Sequence, residues 1–459
     1  MTDDSEGRPG PVPEAARTPS RQEAFVAPDL LYALNDRPPW GRTLLYGVQW
    51  LIIFLPMIAV VSVLAADVLG LSPMAKVDFF QRLLIVTGLT MIAQTLWGHQ
   101  LPLLDGPAMA LIITLATLAP AGRPVIGGGM IFGGLLIMIL GLFRLTRHIV
   151  PLFTDRVIGV ILLLIGLTIL PYLANMLMGV DAAHPNGNPA VAALAVLLTL
   201  LMVALFHYLK GLAGSLSIFI GVVLGVAVFA ALGRFDLTGV RHAPWLDWPR
   251  PDWGPGLRFD PAGALSFALA YLAVLVNATG SLFSVEPIVQ ADHMDRRLDR
   301  GLALTGLSGV FAGAAGVVGT VSYSISPGVI TVTRVGSRFA LTAAGLLILA
   351  LAFFGKLAAI MSAVPGPVVA AALLASMSAG VGVSIDIIHR GKERLTNRDY
   401  LIVGLPTLMG AMAAILPHAF LDLLPAAIRP LAGNGLIVGV VLVLLLEHVL
   451  LAKRKKDGR

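Results

Sequence analysis

With 459 residues, 57% of them hydrophobic and 13% charged, and a mean hydropathy of +0.87, the chain is far too apolar for a soluble globular protein and reads as an all-α polytopic membrane protein. The net charge of +6 implies no nucleic-acid partner, because Lys and Arg gather in loops beside apolar runs, as the positive-inside rule expects. No cysteine is present, which excludes disulfides, thiolate metal sites and cysteine nucleophiles.

Residues 1–42, rich in Pro, Arg, Glu and Ser, are expected to form a disordered cytoplasmic tail rather than a signal peptide, which needs an early apolar core. Apolar runs then predict spans at 44–64 and 83–97, a broken segment at 101–118, and spans at 125–143, 157–173, 190–209 and 216–232. Arg144, Arg147, His148 and Arg156 make a basic loop, whereas 180–189 carries no Lys or Arg and reads as an outer loop. Trp245, Trp248 and Trp253 place a second outer loop, 233–261, at the interface. Further spans are predicted at 262–283 and 301–318, separated by a charged loop at 292–300. A second broken segment at 320–338 precedes spans at 339–354, 364–383, 401–416 and 436–451. Arg390, Lys392, Arg394 and Arg398 form another basic loop, and 453–459 is a basic cytoplasmic tail. Counting about fourteen crossings puts the main basic clusters and both termini on the cytoplasmic side of a cell membrane. The expected organisation is two repeats of about seven segments each, 43–232 and 262–452.

The two broken segments are what the chain is organised around. Pro327 lacks an amide hydrogen and cannot sit inside a helix, but it suits a first turn, with Ser326 as N-cap and Gly328 after it. Asp105, Gly106 and Pro107 interrupt the earlier segment in the same way, before Ala108 and Met109 open a short apolar helix. Each break reads as an extended stretch followed by a half-helix, and non-helical backbone at membrane depth is tolerated only where it is buried in protein or lines a cavity. Each break falls third in its half of about seven segments, so the two are offset by an odd number in the order of crossings. That spacing predicts an inverted repeat whose two half-helix N-termini meet near mid-membrane. Their unpaired N–H groups would favour acceptor-rich or anionic groups.

Asp105, in a place corresponding to Ser326, reads either as a functional acid or as a cap on its own helix. Asn277, a polar residue within an apolar span, reads either as an interhelical hydrogen-bonding group or as a ligand contact, with Ser281 close by. Ser324 and Ser326 are candidate substrate contacts, while Ser322 is better read as satisfying nearby backbone. The glycines from Gly127 to Gly134 precede no nucleotide-binding unit and read as packing residues, as do Gly309, Gly313, Gly316 and Gly319. His99, His148, His207 and His389 fall at span ends without metal-ligand spacing and read as snorkelling groups. No Walker loop, HExxH or GxSxG pattern is present, so neither an enzyme nor a cofactor is expected.

Over most of its length the chain resembles the nucleobase-ascorbate transporters, which include bacterial uracil and xanthine permeases. The likeness lies in Leu34 to Pro39, Gln49, Gln94, Gly106, Asn277 to Gly280, Tyr323 to Arg338 and Asn397 to Gly410, and is strongest from Gly328 to Arg338. It implies core and gate domains, a small solute of the uracil, xanthine or purine class held between the half-helices, and elevator-type alternating access driven by H+ or Na+. Homodimerisation is a further family expectation. The positions implied to hold substrate are Asp105, Gly106, Pro107, Ala108, Met109, Asn277, Ser281, Ile325, Ser326, Pro327 and Gly328. The chain departs from the family pattern where Ile325 and Ser326 replace an acid or amide followed by Asn, Asn277 replaces a glutamate, Trp50 follows Gln49 in place of histidine, and Met109 replaces an aromatic. Either Asp105 has taken over the acidic role, or the substrate is no ordinary nucleobase. Unchanged uptake, pH dependence and affinity in Asp105→Asn would dismiss the first of these. A small-anion carrier of the same fold is the competing reading, and a channel is a weaker one because no charged ring marks a pore.

Overall fold

In the computed structural model the described residues are 29–180, 184–235, 238–250, 256–390, 394–425 and 428–452. Most of the expected N-terminal tail, the basic tail 453–459, Trp253 and Lys392 lie outside them. The longer helices are α1 (Trp40–Val68), α2 (Pro73–Leu96), α3 (Met109–Leu118), α4 (Arg123–Leu142), α5 (Asp155–Thr168), α6 (Leu170–Leu177), α7 (Pro189–Tyr208), α8 (Ser217–Ala231) and α9 (Pro261–Val289). They continue with α10 (Met294–Ala315), α11 (Ser326–Thr333), α12 (Arg338–Leu351), α13 (Gly355–Ser362), α14 (Gly366–His389), α15 (Asn397–Ala413) and α16 (Gly435–Leu445). Two strands, β1 (Leu104–Pro107) and β2 (Thr320–Tyr323), are the sheet present among the described residues.

Seven helical stretches among these residues are long and apolar enough to cross a membrane: α1, α2, α4, α5 continued by α6, α7, α9 and α14. An eighth is gained if α12 and α13, bent by 94° at their junction, count as one span, and α3, α8 and the helix from Gly435 are shorter apolar helices. The bend falls at the end of the span expected at 339–354, which α12 fills, and α13 lies beyond it, ahead of the next expected span at 364–383. The bend is set by packing, because a Cβ on Gly355 would stand 2.8 Å from the Pro244 carbonyl oxygen, and Asp247 N–H donates to Phe353 O across the same junction.

The charged loop expected at 292–300 is helix from Met294 onward. Met294, Leu298 and Leu302 recur every four residues and are buried, while Asp295, Arg296 and Arg300 face out. A run dense in charge therefore conceals one apolar stripe. Arg156 and Arg398, read from sequence as loop charges, are drawn into a buried ion cluster. Arg156 on α5 pairs with Asp399 on α15 and makes a bidentate contact with Glu447 beyond α16, and Arg398 approaches Glu447 at 3.4 Å.

The glycine run on α4 is a packing surface. A Cβ on Gly134 would come within 2.7 Å of Gly306 O, one on Gly127 within 3.0 Å of Gly313 O, and one on Gly129 within 2.9 Å of Gly263 O, so α10 and α9 approach α4 backbone to backbone. Gly306 is the tightest of these against α4, with its Cβ position 2.3 Å from Met138 N. Gly306→Ala should therefore force the two helices apart and lower stability by about 1–3 kcal/mol, read as a reduced midpoint of thermal unfolding in detergent.

Candidate functional site

The two broken segments come together as an antiparallel ladder, with Leu104 opposite Tyr323, Asp105 opposite Ser322, Gly106 opposite Val321 and Pro107 opposite Thr320. Ala108 N–H extends it to Gly319 O at 2.8 Å. Backbone freed by the prolines thus finds its partners across the break, which makes the interruption affordable in an apolar interior. The half-helices α3 and α11 leave this ladder, beginning at Met109 and Ser326. Phe54 of α1 lies over it, edge-on to Tyr323 at 5.3 Å, and a Cβ on Gly106 would strike its ring at 2.3 Å. The Tyr323 hydroxyl donates to Pro107 O at 2.7 Å, tying one break to the other.

The sequence-derived residues fall into two groups. Asp105, Gly106, Pro107, Ala108, Ser281 and Ser326 are buried within the ladder and its supports. Asp105 does not cap α3: the residue before that helix is Ala108, with no side-chain cap. Its carboxylate instead accepts the Ser322 hydroxyl at 2.7 Å and lies 3.2 Å from His99 Nε2. Ser326 is not the N-cap of α11 either. Ile325 holds that position without a side-chain bond, while Ser326, inside the first turn, accepts Leu104 N–H at 3.0 Å and donates to Tyr323 O at 3.2 Å. Its hydroxyl thereby satisfies an amide of the other break, a partner far away in sequence. Ser281 donates to Ser322 O and shares a 2.8 Å hydrogen bond with Ser324.

The second group lines open space. Gly280, Ser324, Ile325 and Gly328 are exposed, Met109, Asn277 and Pro327 half-buried, and a Cβ built on Gly280 or Gly328 meets nothing within 4 Å. The middle of α9 and the start of α11 therefore form a wall that combines an amide side chain, a hydroxyl and the first N–H groups of a half-helix.

His99 is the functional candidate that sequence reading misplaced. It is fully buried beside Asp105 rather than snorkelling, and its turn is held by Gln94, which accepts His99 N–H and donates to Gly301 O and the Thr305 hydroxyl. The available signal was a His and an Asp six residues apart around a proline in an otherwise apolar stretch. Arg297 of α10 donates to His99 O and Gln100 O, and its hydrogen bond to the exposed Asp292 holds that carboxyl below the usual carboxylate range. No group of acidic, His or Cys side chains among the described residues could hold a metal ion.

The Xan_ur_permease model of the Permease family matches residues 41–419. The chain is 29% identical to a protein of Clostridium perfringens named as a purine permease, CPE0397, over 92% of this chain and 93% of that one. It is 24% identical to the uric acid transporter UacT of Escherichia coli, over 89% of this chain and 86% of that one. Among solved structures, the transmembrane domain of a cyanobacterium bicarbonate transporter, BicA, superposes with a TM-score of 0.58 at 16% identity, covering 82% of this chain and 97% of that one. At that identity the likeness is one of fold. A match over most of the chain, joined to the signature between Gly328 and Arg338, makes this multi-pass membrane protein a member of the xanthine and uracil permease family, a transporter and not an enzyme.

Proposed function

We propose that the chain is an ion-coupled secondary carrier that moves a nucleobase-like solute, of the uracil, xanthine or purine class, by elevator-type alternating access. The observation that carries this reading is the open wall at Gly280 and Gly328 beside the half-helix start. A planar lactam offers a carbonyl acceptor to the unpaired N–H of Gly328 in the first turn, and Asn277, able to donate and accept at once, complements its adjacent N–H and C=O. The glycines let the face of such a ring approach backbone closely. In this reading the ladder and half-helices belong to the moving core, about fourteen crossings form two inverted repeats over 43–232 and 262–452, and both termini are cytoplasmic. Asp105, Gly106, Pro107, Ala108, Ser281 and Ser326 support the site from behind, while Met109, Asn277, Ile325, Pro327 and Gly328 face the solute.

Counterflow in proteoliposomes preloaded with xanthine, uric acid or uracil tests the class. Exchange of a labelled nucleobase that bicarbonate and sulfate do not compete away is expected. Exchange of the anions alone would transfer the site to the small-anion reading. Asn277→Ala should raise the Kd for the transported base about tenfold or more by removing paired hydrogen bonds, as measured by equilibrium binding to purified protein.

A further inference from the structure

We propose that Arg144, Arg296 and Arg300 form a binding site for the phosphate headgroup of an anionic membrane phospholipid, where the end of α4 meets the first turns of α10. The site shares no residue with the ladder or the open wall and does not depend on which solute is carried. The three arginines line one cavity of about 150 Å³, walled also by Leu142 and Asp299. That volume is the share of about five water molecules in the liquid and admits a phosphate group. Its floor is closed by helix contact, since a Cβ on Gly141 would stand 2.5 Å from Asp299 O.

All three arginines are exposed, and none of their guanidinium groups makes a hydrogen bond or an ion pair among the described residues. Asp299, the carboxylate of the wall, accepts the Thr146 hydroxyl, so three cations against one anion leave the cavity with a net charge of +2. Two features oppose such a grouping unless an anion sits in it. Arg296 and Arg300 stand four residues apart on one face of α10, the spacing at which like charges repel. Arg144 follows the C-cap of α4 with φ 54°, a left-handed backbone that favours glycine. The positive-inside rule accounts for arginines at the end of a span, but not for three without partners around one hollow. Planar guanidinium groups match the paired oxygens of a phosphodiester, and basic pockets between spanning helices are suited to anionic headgroups.

The surface leading away from the cavity favours a lipid over a free phosphate ion. Ala303, Leu307 and Phe311 continue the face of α10 that carries Arg296 and Arg300, with Leu307 half-buried and Phe311 60% exposed. On α4, Leu135 and Leu142 are exposed about two turns apart, as is Phe143 at its end. From Arg300 to Phe311 the helix rises about 16 Å, close to half the thickness of a bilayer's hydrocarbon core. A phosphodiester held by the arginines therefore lays its acyl chains along these apolar side chains, which a free ion leaves uncovered.

Native mass spectrometry of the delipidated full-length protein, titrated with phosphatidylglycerol, phosphatidylcholine and glycerol 3-phosphate, tests the site. Wild type should bind phosphatidylglycerol at least about tenfold more tightly than the zwitterionic phosphatidylcholine. Arg296→Gln and Arg300→Gln should each weaken phosphatidylglycerol about fivefold, and the double variant by at least about tenfold, with phosphatidylcholine unaffected. Arg144→Gly should weaken it likewise, and because glycine suits the left-handed backbone there, this variant separates the guanidinium from folding. Arg390→Gln alters an exposed arginine of another basic loop and should leave the affinity unchanged. Equal affinity for the two lipids, unaltered affinity in the double variant, or the same loss in Arg390→Gln overturns the site. Displacement of phosphatidylglycerol by an equal concentration of glycerol 3-phosphate overturns the lipid as its occupant.

Discussion

Gly280→Trp is expected to abolish uptake while leaving the protein folded. A Cβ at this position meets nothing within 4 Å, so a side chain can leave the helix here without striking a neighbour at its first atom. Replacing a helical glycine also removes part of a conformational penalty of about 1 kcal/mol, which favours the folded helix. The added side chain would occupy the space in front of Asn277, Ser324 and Gly328 where the solute is proposed to bind. Uptake and equilibrium binding should fall by at least about a hundredfold, the loss of some 2.7 kcal/mol or more, while the unfolding midpoint stays at the wild-type value. Wild-type binding in Gly280→Trp would place the solute elsewhere. The contrast with Gly306 is informative, because there the same residue type is required by helix contact and substitution should show in stability.

Arg156→Ala is expected to produce the largest loss of stability. Asp399 and Glu447 are 2% and 5% exposed, and Arg156 is the cation that bridges them, so its removal takes the guanidinium from both buried carboxylates at once, with Arg398 3.4 Å from Glu447. Breaking a buried pair from one side costs about 3–5 kcal/mol, because the remaining charge keeps its desolvation penalty. The cluster ties α5 to α15 and to the turn after α16, so thermal unfolding in detergent should shift well below wild type. Arg156→Lys should recover only part of the difference, since an ammonium cannot reproduce the bidentate contact with Glu447. A midpoint within the range of surface substitutions, about 0.5 kcal/mol, would show that the cluster contributes little.

Much of the candidate site could be read from local chemistry. Pro107 and Pro327, each beside a glycine, cannot lie inside a continuous helix, and in so apolar a chain the resulting extended backbone must find partners within the protein. The glycine spacing likewise announced close helix contact, which Gly134 and Gly306 realise. Hydropathy was less informative where charge and packing shared a segment. The run 292–300 reads as loop because its charges outweigh the buried stripe of Met294 and Leu298 in any average over the window. The span expected to end at Phe354 marks where the helix breaks, but the 94° turn into α13 and its contact with the loop carrying Pro244 belong to the tertiary structure.

What the sequence determined alone was the membrane environment, the two breaks and the small set of polar residues near them, because each follows from the properties of single residues or short windows. The tertiary structure decided which of those polar groups meet. Register across the ladder set Asp105 against Ser322 rather than at the head of α3, turned Ser326 toward Leu104, and buried His99 against a carboxylate. The reason is that a buried donor or acceptor is satisfied by whatever lies nearest in space, and for Asp105 and Ser326 that neighbour belongs to a segment more than two hundred residues away.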